Sequence, residues 1–393
     1  MTQPRWLKSI VARWPSKGLK HTIKEAYLRL QPYDGPTLFP VCGPNRCALV
    51  SEVARGAGGY HTTLRGEETY SFALPESDDL AITNFFAQFA QCEFPPITVS
   101  AIPGGHTYAN GVVLSPDGTT LARDLSLDFT HSFESHYLLN RPIHRGQTLE
   151  GDVLSIASWQ THSYYHWLLD ELPRYLLPNL PDYDQLVCSR ETRAYRSAIQ
   201  YLGLDQKPIV FLERVKHYKC DVLIAPSYVA NTGQPRPYLV KILTQAVDPL
   251  IDSSVSYPAK IFISRQLAGL RCIIKEDILF QELETQGFVK VCLENLSWQE
   301  QINLFYHARE IISPHGAGLA NLVFCAQKPL VIELFNANYM HWCFWQLAML
   351  VGANYHPFAF PRVHQVRQVP SAGALDIEVD NITSFIEAYQ RLS

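Results

Sequence analysis

The chain reads EIISPHGAGLANLVFCAQKPLVIE at residues 310–333. A short apolar run leads into a proline, a histidine and two glycines before a second apolar run, which predicts a strand, a tight turn and a helix start. Gly316 and Gly318 let the backbone approach a bound group closely, and the free N–H groups of a helix start attract anions. An ordinary turn between a strand and a helix is the alternative.

Strands and helices alternate on both sides of this stretch. Residues 275–286 predict a helix, and Ser297 with Glu300 forms a capping box at the start of a second one. Residues 382–392 predict a terminal helix, for which packing back on the first domain is left open. This order is typical of a Rossmann-like domain, in which ligands bind at the carboxyl ends of the strands. We therefore place the second domain at residues 236–393. Its predicted strands are residues 260–264, 288–293, 310–313 and 330–335, with another near residue 355.

Side chains at three of these strand ends are candidates for binding an anionic, sugar-bearing ligand. Arg265 and Arg271 follow the first strand, and a guanidinium pairs well with phosphate oxygens. Glu333 ends a later strand, in the position from which an acidic residue accepts hydrogen bonds from ribose hydroxyls. Each residue alone is more often part of a surface ion pair or a turn, so their shared position carries the prediction. The predicted substrate-binding residues of this half are Ser264, Arg265, Arg271, His315, Gly316, Ala317, Gly318, Asn321 and Glu333.

The first domain, placed at residues 1–235, shows a similar alternation from residue 152 onwards. Such alternation predicts a parallel sheet covered by helices, so the expected fold class is α/β. Before it, residues 97–125 predict short strands with a turn at residues 115–118, as part of an N-terminal helical and β extension. The alternating segments are strands at residues 153–157, 185–189 and 209–213 and helices at residues 161–177 and 193–202.

The segment YYHWLLDELPR, residues 164–174, supplies the candidate catalytic group. Helical spacing places His166, Asp170 and Arg174 on one face, while the apolar residues between them face the core. A carboxylate so placed can take a proton from an acceptor hydroxyl, and the adjacent Glu171 is the second choice for this role. The alternative is a hydrogen-bonded pair on a solvated helix. The proline of the segment predicts a kink.

Composition excludes several classes of protein. The chain has 393 residues, of which 47% are hydrophobic and 18% charged, with a formal net charge of -4. These values predict an ordinary soluble protein of two or three domains and argue against nucleic-acid binding by global basicity. No apolar run reaches the roughly 18 residues of a membrane helix, and the N-terminus lacks a secretory pattern. The nine scattered cysteines suit free thiols in a reducing compartment.

The N-terminal segment is basic and interleaved with apolar residues. A helix of this kind can lie on an anionic membrane surface, although a solvated helix packed on its own domain is preferred. The expected location is cytoplasmic, with peripheral contact at the inner face of the membrane left open. The basic residues are Arg5, Lys8, Arg13, Lys17, Lys20, Lys24 and Arg29, against the acid Glu25.

Other catalytic motifs are absent from the sequence or incomplete. It contains neither G-x-x-x-x-G-K-S/T nor G-x-S-x-G, which argues against a P-loop enzyme and an α/β-hydrolase. Gly316 and Gly318 begin the dinucleotide pattern G-x-G-x-x-G, but Asn321 takes its last position, which weakens a nicotinamide-dependent oxidoreductase without excluding it. Asp182 and Asp184 form a D-x-D, as in many metal-dependent sugar-nucleotide enzymes, but they precede a strand, so we expect a loop there.

Together, these residues resemble the family-61 glycosyltransferases, which include plant xylan xylosyltransferases, animal protein O-linked N-acetylglucosamine transferases and bacterial polysaccharide enzymes. The resemblance covers about residues 158–335. Such sequences usually have Asn before the acid that follows the second arginine, where this chain has Lys275. The resemblance rests on HWLLDELPR, on Ser264 and Arg265 followed by Arg271 and Glu276, on GFVKVCLENLSWQEQINLF, and on SPHGAGLANLVF with VIELF.

The resemblance implies two Rossmann-like domains facing a cleft, the GT-B type, with the acceptor on the first domain and a nucleotide-sugar donor held mainly by the second. It implies an inverting hexosyl- or pentosyltransferase that acts on a glycan or polysaccharide hydroxyl, with UDP as the favoured nucleotide and no cofactor or obligatory metal. Asp170 is then the expected base, His166 its partner, and Arg174 a substrate-binding residue. A non-catalytic glycan- or nucleotide-binding protein of the same fold is the alternative, and the oligomeric state is open.

Overall fold

The computed structural model describes residues 43–77, 79–108, 111–127, 132–141, 143, 146–158, 163–213, 217–360, 377–378 and 382–392. The basic N-terminal segment lies outside these residues, so its contact with a membrane stays a prediction. The eight cysteines within the described ranges are all free thiols, as the sequence predicts. No helix in these ranges has both the length and the apolar character needed to cross a membrane.

A mixed sheet organises the first half of the described chain. Across the sheet the order is β1-β8-β7-β6-β12-β9-β10-β11, and β5 pairs with both β12 and β2, while β3 and β4 form a separate hairpin. The strands are β1 (Arg46–Ala48), β2 (Tyr60–Arg65), β3 (Glu68–Ser71), β4 (Gln91–Phe94), β5 (Ile97–Pro103), β6 (His106–Tyr108), β7 (Val112–Leu114), β8 (Thr120–Ala122), β9 (Gly146–Ser155), β10 (Gln185–Cys188), β11 (Ile209–Phe211) and β12 (His217–Pro226).

The first sheet is only partly the parallel sheet that the sequence predicts. Strands β9 to β12 pair in parallel, as the alternation of strands and helices indicates. Strands β5 and β6 pair antiparallel with β12, and β6, β7 and β8 form an antiparallel meander. Consecutive strands joined by tight turns pair antiparallel, because a parallel pair needs a long crossover. A purely Rossmann-like first domain is therefore corrected to a mixed sheet.

The second sheet is parallel throughout and matches its prediction. Its strand order is β15-β13-β16-β17-β18, and β14 pairs with β19 beside it. All four neighbouring pairs in the five-stranded sheet are parallel. The strands are β13 (Lys260–Ile263), β14 (Ile273–Ile274), β15 (Val289–Val291), β16 (Glu310–Pro314), β17 (Leu330–Asn336), β18 (Asn354–Phe360) and β19 (Ile377–Glu378).

The helices begin and end close to the predicted signals. Ser297 and Glu300 form the expected capping box, and Gly203 ends its helix in a left-handed conformation at φ 65°. The helices are α1 (Val50–Gly56), α2 (Leu80–Ala87), α3 (Tyr164–His166), α4 (Leu172–Tyr175), α5 (Arg193–Leu202), α6 (Pro237–Val247), α7 (Glu276–Thr285), α8 (Trp298–His307), α9 (Cys343–Leu350) and α10 (Ile382–Leu392), with a π-helical turn at Trp167–Glu171 and 3-10 helices at Leu204–Gln206, Asp248–Leu250, Leu293–Asn295 and Ala317–Phe324.

A continuous apolar core joins the two halves. Trp167 of the first half and Trp298 of the second meet edge to face, with ring centroids 5.5 Å apart. The hydroxyl of Tyr164 donates to Oδ1 of Asn321 at 2.5 Å and accepts from Nε1 of Trp298 at 3.1 Å. These contacts hold α3 against the 3-10 helix that follows the HGAG turn. The two candidate sequence segments therefore lie side by side.

The terminal helix α10 packs on the second half. Phe385 contacts Phe358, with ring centroids 5.3 Å apart, and Tyr389 contacts Phe288 at the same distance. The Tyr389 hydroxyl also donates to Glu310 at 2.6 Å. These partners all come from the second sheet or its helices, so the expected return of this helix to the first domain is not observed. The apolar face of α10 is satisfied by its own half.

Candidate active site

The segment with the candidate base is a helical run interrupted by one π-helical turn. Within Trp167–Glu171 the helix widens, and the N–H of Leu172 donates to the carbonyl of Trp167, five residues earlier. Pro173 follows directly and has no N–H to donate, so the irregular turn lies where the sequence predicts a kink. Trp167, Leu168 and Leu172 are buried, as predicted.

His166 and Asp170 form the predicted pair. Nδ1 of His166 lies 2.8 Å from Oδ2 of Asp170. The Asp170 side chain is 4% exposed and that of His166 is 18% exposed, so the histidine is the more open of the two. A hydrogen bond to the imidazole fixes the orientation of the carboxylate. A carboxylate held in this way can accept a proton from a hydroxyl group that reaches it.

Glu171, the second choice for the base, is directed into the first half. It is fully buried, accepts the backbone N–H of Ser189 at 2.8 Å and accepts the hydroxyl of Tyr195. Burial raises its pKa from 4.5 to about 7. The two adjacent carboxyl groups therefore have different surroundings, and the geometry favours Asp170 over Glu171 as the group that meets an acceptor.

Arg174 ties together the carboxyl ends of strands β9 and β12. Its Nη2 donates to the carbonyl of Pro226 at 2.6 Å, and its Nη1 donates to the carbonyls of Ile156 at 2.9 Å and Ala157 at 2.6 Å. Its guanidinium also lies over the ring of Tyr228, 4.9 Å from the centroid. The side chain is 1% exposed. These contacts argue for a structural role and against the expected contact with substrate.

His315, which follows strand β16, and Glu333, in the middle of strand β17, form a buried pair. Nδ1 of His315 lies 2.5 Å from Oε1 of Glu333, whose other oxygen accepts the Tyr355 hydroxyl at 2.5 Å. His315 is 6% exposed and Glu333 is fully buried. Burial raises the pKa of Glu333 well above its ordinary value, whereas burial, then Arg271 and Arg265, lower that of His315. Both oxygens of Glu333 are thus used inside the fold, where the residue holds His315 in place. In this conformation its side chain cannot make the ribose contact expected of it.

Two arginines stand at the carboxyl edge of the second sheet without an ion-pair partner among the described residues. Arg265 lies against Gly316, where the Cβ of any other residue would overlap its Nη1, and its Nε donates to the carbonyl of Leu270 at 3.1 Å. Arg271 is partly buried in a left-handed backbone conformation at φ 55°, and its buried Nε has no hydrogen-bond partner in the described chain. Burial and the nearby Arg271 lower the pKa of Arg265. Two close cations with no carboxylate at ion-pair distance among the described residues can attract an anion.

Of the remaining predicted residues, some make structural contacts and others are partly exposed. The Ser264 hydroxyl donates to Glu276 at 2.6 Å and is buried, so it holds the start of α7. Asn321 is fully buried and uses its amide on Tyr164 and Gln301, which makes it part of the contact between the halves. Its expected contact with the nucleoside is not favoured by this arrangement. Of the HGAG turn, Gly316 is buried, whereas the backbone is partly exposed at Ala317 and Gly318.

His341 is a site residue that sequence reasoning missed. It follows β17, at the same edge of the sheet as the arginines. Burial lowers its pKa to about 4, with further contributions from His315, Arg271 and His166. It is therefore within electrostatic reach of candidate residues in both halves. The available signal was its place a few residues after the end of a parallel strand, which is where ligands bind in such sheets.

The D-x-D residues lie in a loop, as the sequence predicts. Oδ2 of Asp184 accepts the backbone N–H of Asp152 at 2.8 Å. Within the described ranges no three His, Cys, Asp or Glu residues come together as a metal-binding group. The structure thus gives Asp184 a local role in fixing the turn beside β9.

Comparison with protein families gives one match. Residues 164–332 match the family model described as Glycosyltransferase 61. The matched segment contains the His166–Asp170 pair, Arg265 and Arg271, and the HGAG turn. Among curated proteins, none matches the chain. The family match shows that residues 164–332 are similar to a glycosyltransferase family 61 domain, which supports a transferase.

Proposed function

We propose that this protein is an inverting, metal-independent glycosyltransferase that moves a sugar from a nucleoside-diphosphate sugar, with UDP favoured, to a hydroxyl of a glycan or polysaccharide. The observation that carries the proposal is the pair Arg265 and Arg271, which have no ion-pair partner among the described residues and lie beside the Gly316 turn. The first half contributes the His166–Asp170 pair, on the segment whose Tyr164 contacts Asn321 of the second half. Cationic groups and a carboxylate on opposite sides are what the two ends of a glycosyl transfer need.

On the donor side, the arginines neutralise the diphosphate as it leaves. Arg265 lies against Gly316 and donates to the carbonyl of Leu270, while the Nε–H of Arg271 has no hydrogen-bond partner in the part of the chain that the structure describes. Fixed guanidinium groups stabilise charge that develops on phosphate oxygens without reorganising during the reaction. The partly exposed backbone of Ala317 and Gly318 adds N–H donors at the start of the 3-10 helix.

On the acceptor side, Asp170 takes the proton of the attacking hydroxyl, and His166 orients its carboxylate. A single displacement needs only one base, and it inverts the anomeric centre. The proposal therefore assigns Asp170 to the acceptor and the arginines to the leaving group. Two α/β halves with the donor on the second correspond to a GT-B arrangement, which is part of the same proposal. The free cysteines support a location in a reducing compartment.

Binding and turnover of nucleotide sugars test the proposal directly. Calorimetric titration should show binding of UDP, and incubation with UDP-glucose, UDP-xylose and UDP-N-acetylglucosamine should release UDP from at least one donor. With an accepting glycan, NMR of the product should show an anomeric configuration opposite to that of the donor. Binding of NAD in place of any nucleoside diphosphate would favour an oxidoreductase. Binding of UDP-sugars with no release or transfer would favour a non-catalytic protein.

A further inference from the structure

His341 stands in a column of stacked rings that fixes its plane. The rings of His341 and Trp342 are 4.3 Å apart at 14°, and those of His341 and His315 are 5.9 Å apart at 29°. Trp342 in turn stacks on Phe89 of the first half at 3.6 Å and 11°. An imidazole packed in this way has little freedom to turn, so the directions of its two nitrogens are set by the fold.

One of the two ring nitrogens accepts a hydrogen bond, and the other has no hydrogen-bond partner among the described residues. Nδ1 of His341 accepts the backbone N–H of Cys343 at 3.2 Å, so the proton of the neutral ring is on Nε2. No described residue bonds to Nε2. Because the pKa of His341 is lowered to about 4, the ring is uncharged near neutral pH. His341 thus presents a single, neutral N–H donor.

The ring approaches a loop that leads into the second half. Cε1 of His341, the carbon between the two ring nitrogens, lies 3.6 Å from the point where a Cβ would stand on Gly233. Gly233 has φ 82°, a conformation that side chains rarely adopt, so the loop stays free of a side chain at this place. His166 and Arg271 are both close enough to influence the charge of the ring. The His315 ring, on which His341 stacks, also contacts Tyr339, whose ring lies under the guanidinium of Arg271. The same His315 ring contacts Phe344, which touches Tyr165 next to His166. His341 therefore lies close to both the candidate base and the candidate diphosphate site.

We propose that His341 binds the transferred sugar, by donating from Nε2–H to one of its hydroxyls. The inference rests on the proposed function, because the group between an acceptor base and a departing diphosphate is the sugar itself. An uncharged donor suits this position, because positive charge develops on the sugar as its bond to the leaving group breaks. A cationic residue there would oppose that charge. His341 lies outside the matched segment 164–332, so the match does not assign it this role.

Two variants separate the hydrogen bond from the ring. His341→Phe keeps an aromatic ring in the column and removes the donor, whereas His341→Gln removes the ring and keeps an N–H near the position of Nε2. Calorimetry with UDP should give the wild-type affinity for both variants. With the UDP-sugar that the wild type binds most tightly among UDP-glucose, UDP-xylose and UDP-N-acetylglucosamine, His341→Phe should bind about five- to tenfold more weakly. His341→Gln should recover part of this loss.

The outcomes distinguish this inference from the proposed function. Equal losses for UDP and for the UDP-sugar, or an unchanged affinity of His341→Phe for the UDP-sugar, would overturn the role of His341 and leave the proposed function standing. A wild-type protein that binds none of the probes would overturn both. The thermal unfolding midpoint of each variant, measured without ligand, shows whether a weaker titration reflects loss of folded protein.

Discussion

The imidazole of His315 and the carboxyl group of Glu333 meet at 2.5 Å beneath the HGAG turn. Glu333, predicted to end its strand, lies in the middle of β17, and its second oxygen accepts the hydroxyl of Tyr355 on the next strand. Glu333 therefore fixes the histidine that precedes Gly316, and so the path of the backbone on which Arg265 rests. The acid supports the anion site indirectly, through the turn.

Asp170→Asn should abolish most of the transfer activity while leaving donor binding intact. The amide keeps the shape of the carboxylate and its contact with His166 but cannot take a proton, so kcat should fall by about 100- to 10,000-fold. Rates of transfer and the calorimetric affinity for UDP measure the two effects. Glu171→Gln is the matched control, because its oxygen still accepts from Ser189 and Tyr195, and its kcat should stay within a few-fold of wild type. A larger loss in Glu171→Gln than in Asp170→Asn would reverse the assignment of the base.

Glu171 should also make stability depend on pH. Burial raises its pKa from 4.5 in the reference state to about 7. The folded protein thus holds a proton that the unfolded chain releases near pH 4.5, so the stability it contributes is complete below that pH and is lost as pH rises through 7. At about 1.4 kcal/mol per pKa unit, this amounts to roughly 3 kcal/mol.

Glu171→Gln isolates this effect from the other titrating groups. Urea unfolding at about pH 5 and about pH 7.5 should show wild type losing stability relative to the variant as pH rises, by about 2 to 3 kcal/mol. A constant difference between the two proteins at the two pH values would mean that the carboxyl group is not held in its protonated form.

Sequence patterns predicted where the site residues lie in the fold better than they predicted which residues these side chains contact. The i,i+4 spacing of His166 and Asp170 brought them together because both lie on one helical run. The ends of parallel strands placed Arg265 and His315 at one edge, since that position follows from topology alone. The direction of the Glu333 side chain could not be predicted, because β17 is buried on both faces, where alternation carries no information about which way a side chain points.

Contacts that depend on distant elements were outside the reach of pattern reasoning. Asn321 binds Tyr164, and Arg174 binds the carbonyl of Pro226, each across more than fifty residues of sequence. The π-helical turn before Pro173 depends on which N–H groups find a carbonyl once the helix is packed. These features depend on contacts between segments that are distant in the sequence, which no local window of sequence contains.

Gly316→Ala should weaken donor binding without unfolding the protein. The new Cβ would overlap the guanidinium of Arg265, and the end of a long side chain moves more easily than backbone. We expect the affinity for UDP to fall about tenfold, the value of one charge-assisted hydrogen bond. Gly318→Ala is the control, because it keeps the backbone N–H assigned to the diphosphate and its Cβ would stand 2.6 Å from Cδ1 of Leu293, away from the guanidinium of Arg265. It should cost stability and keep most of the affinity, and equal affinities in the two variants would count against a role for Arg265.

Chelation should leave the activity unchanged. Under the proposed function the arginines supply the positive charge that a divalent ion would otherwise bring to the diphosphate. Transfer rates before and after dialysis against EDTA should therefore agree, as should rates with and without added Mg²⁺ or Mn²⁺. Loss of activity with EDTA and its return with Mn²⁺ would show a metal-dependent mechanism.

Arg174→Lys should destabilise the fold and leave substrate affinity unchanged. Lysine has one nitrogen where arginine has three, so it cannot reach the carbonyls of Pro226, Ile156 and Ala157 at once. Leaving one or two buried carbonyls without a donor should cost about 2 to 3 kcal/mol in the free energy of unfolding. Urea unfolding measures that cost. KM for the donor, measured at a temperature where the variant is folded, tests whether Arg174 contacts the substrate. Because Arg174 anchors α4 at the carboxyl ends of β9 and β12, kcat should fall only as far as the preceding π-helical turn shifts Asp170. A raised KM at full stability would instead return Arg174 to the substrate site.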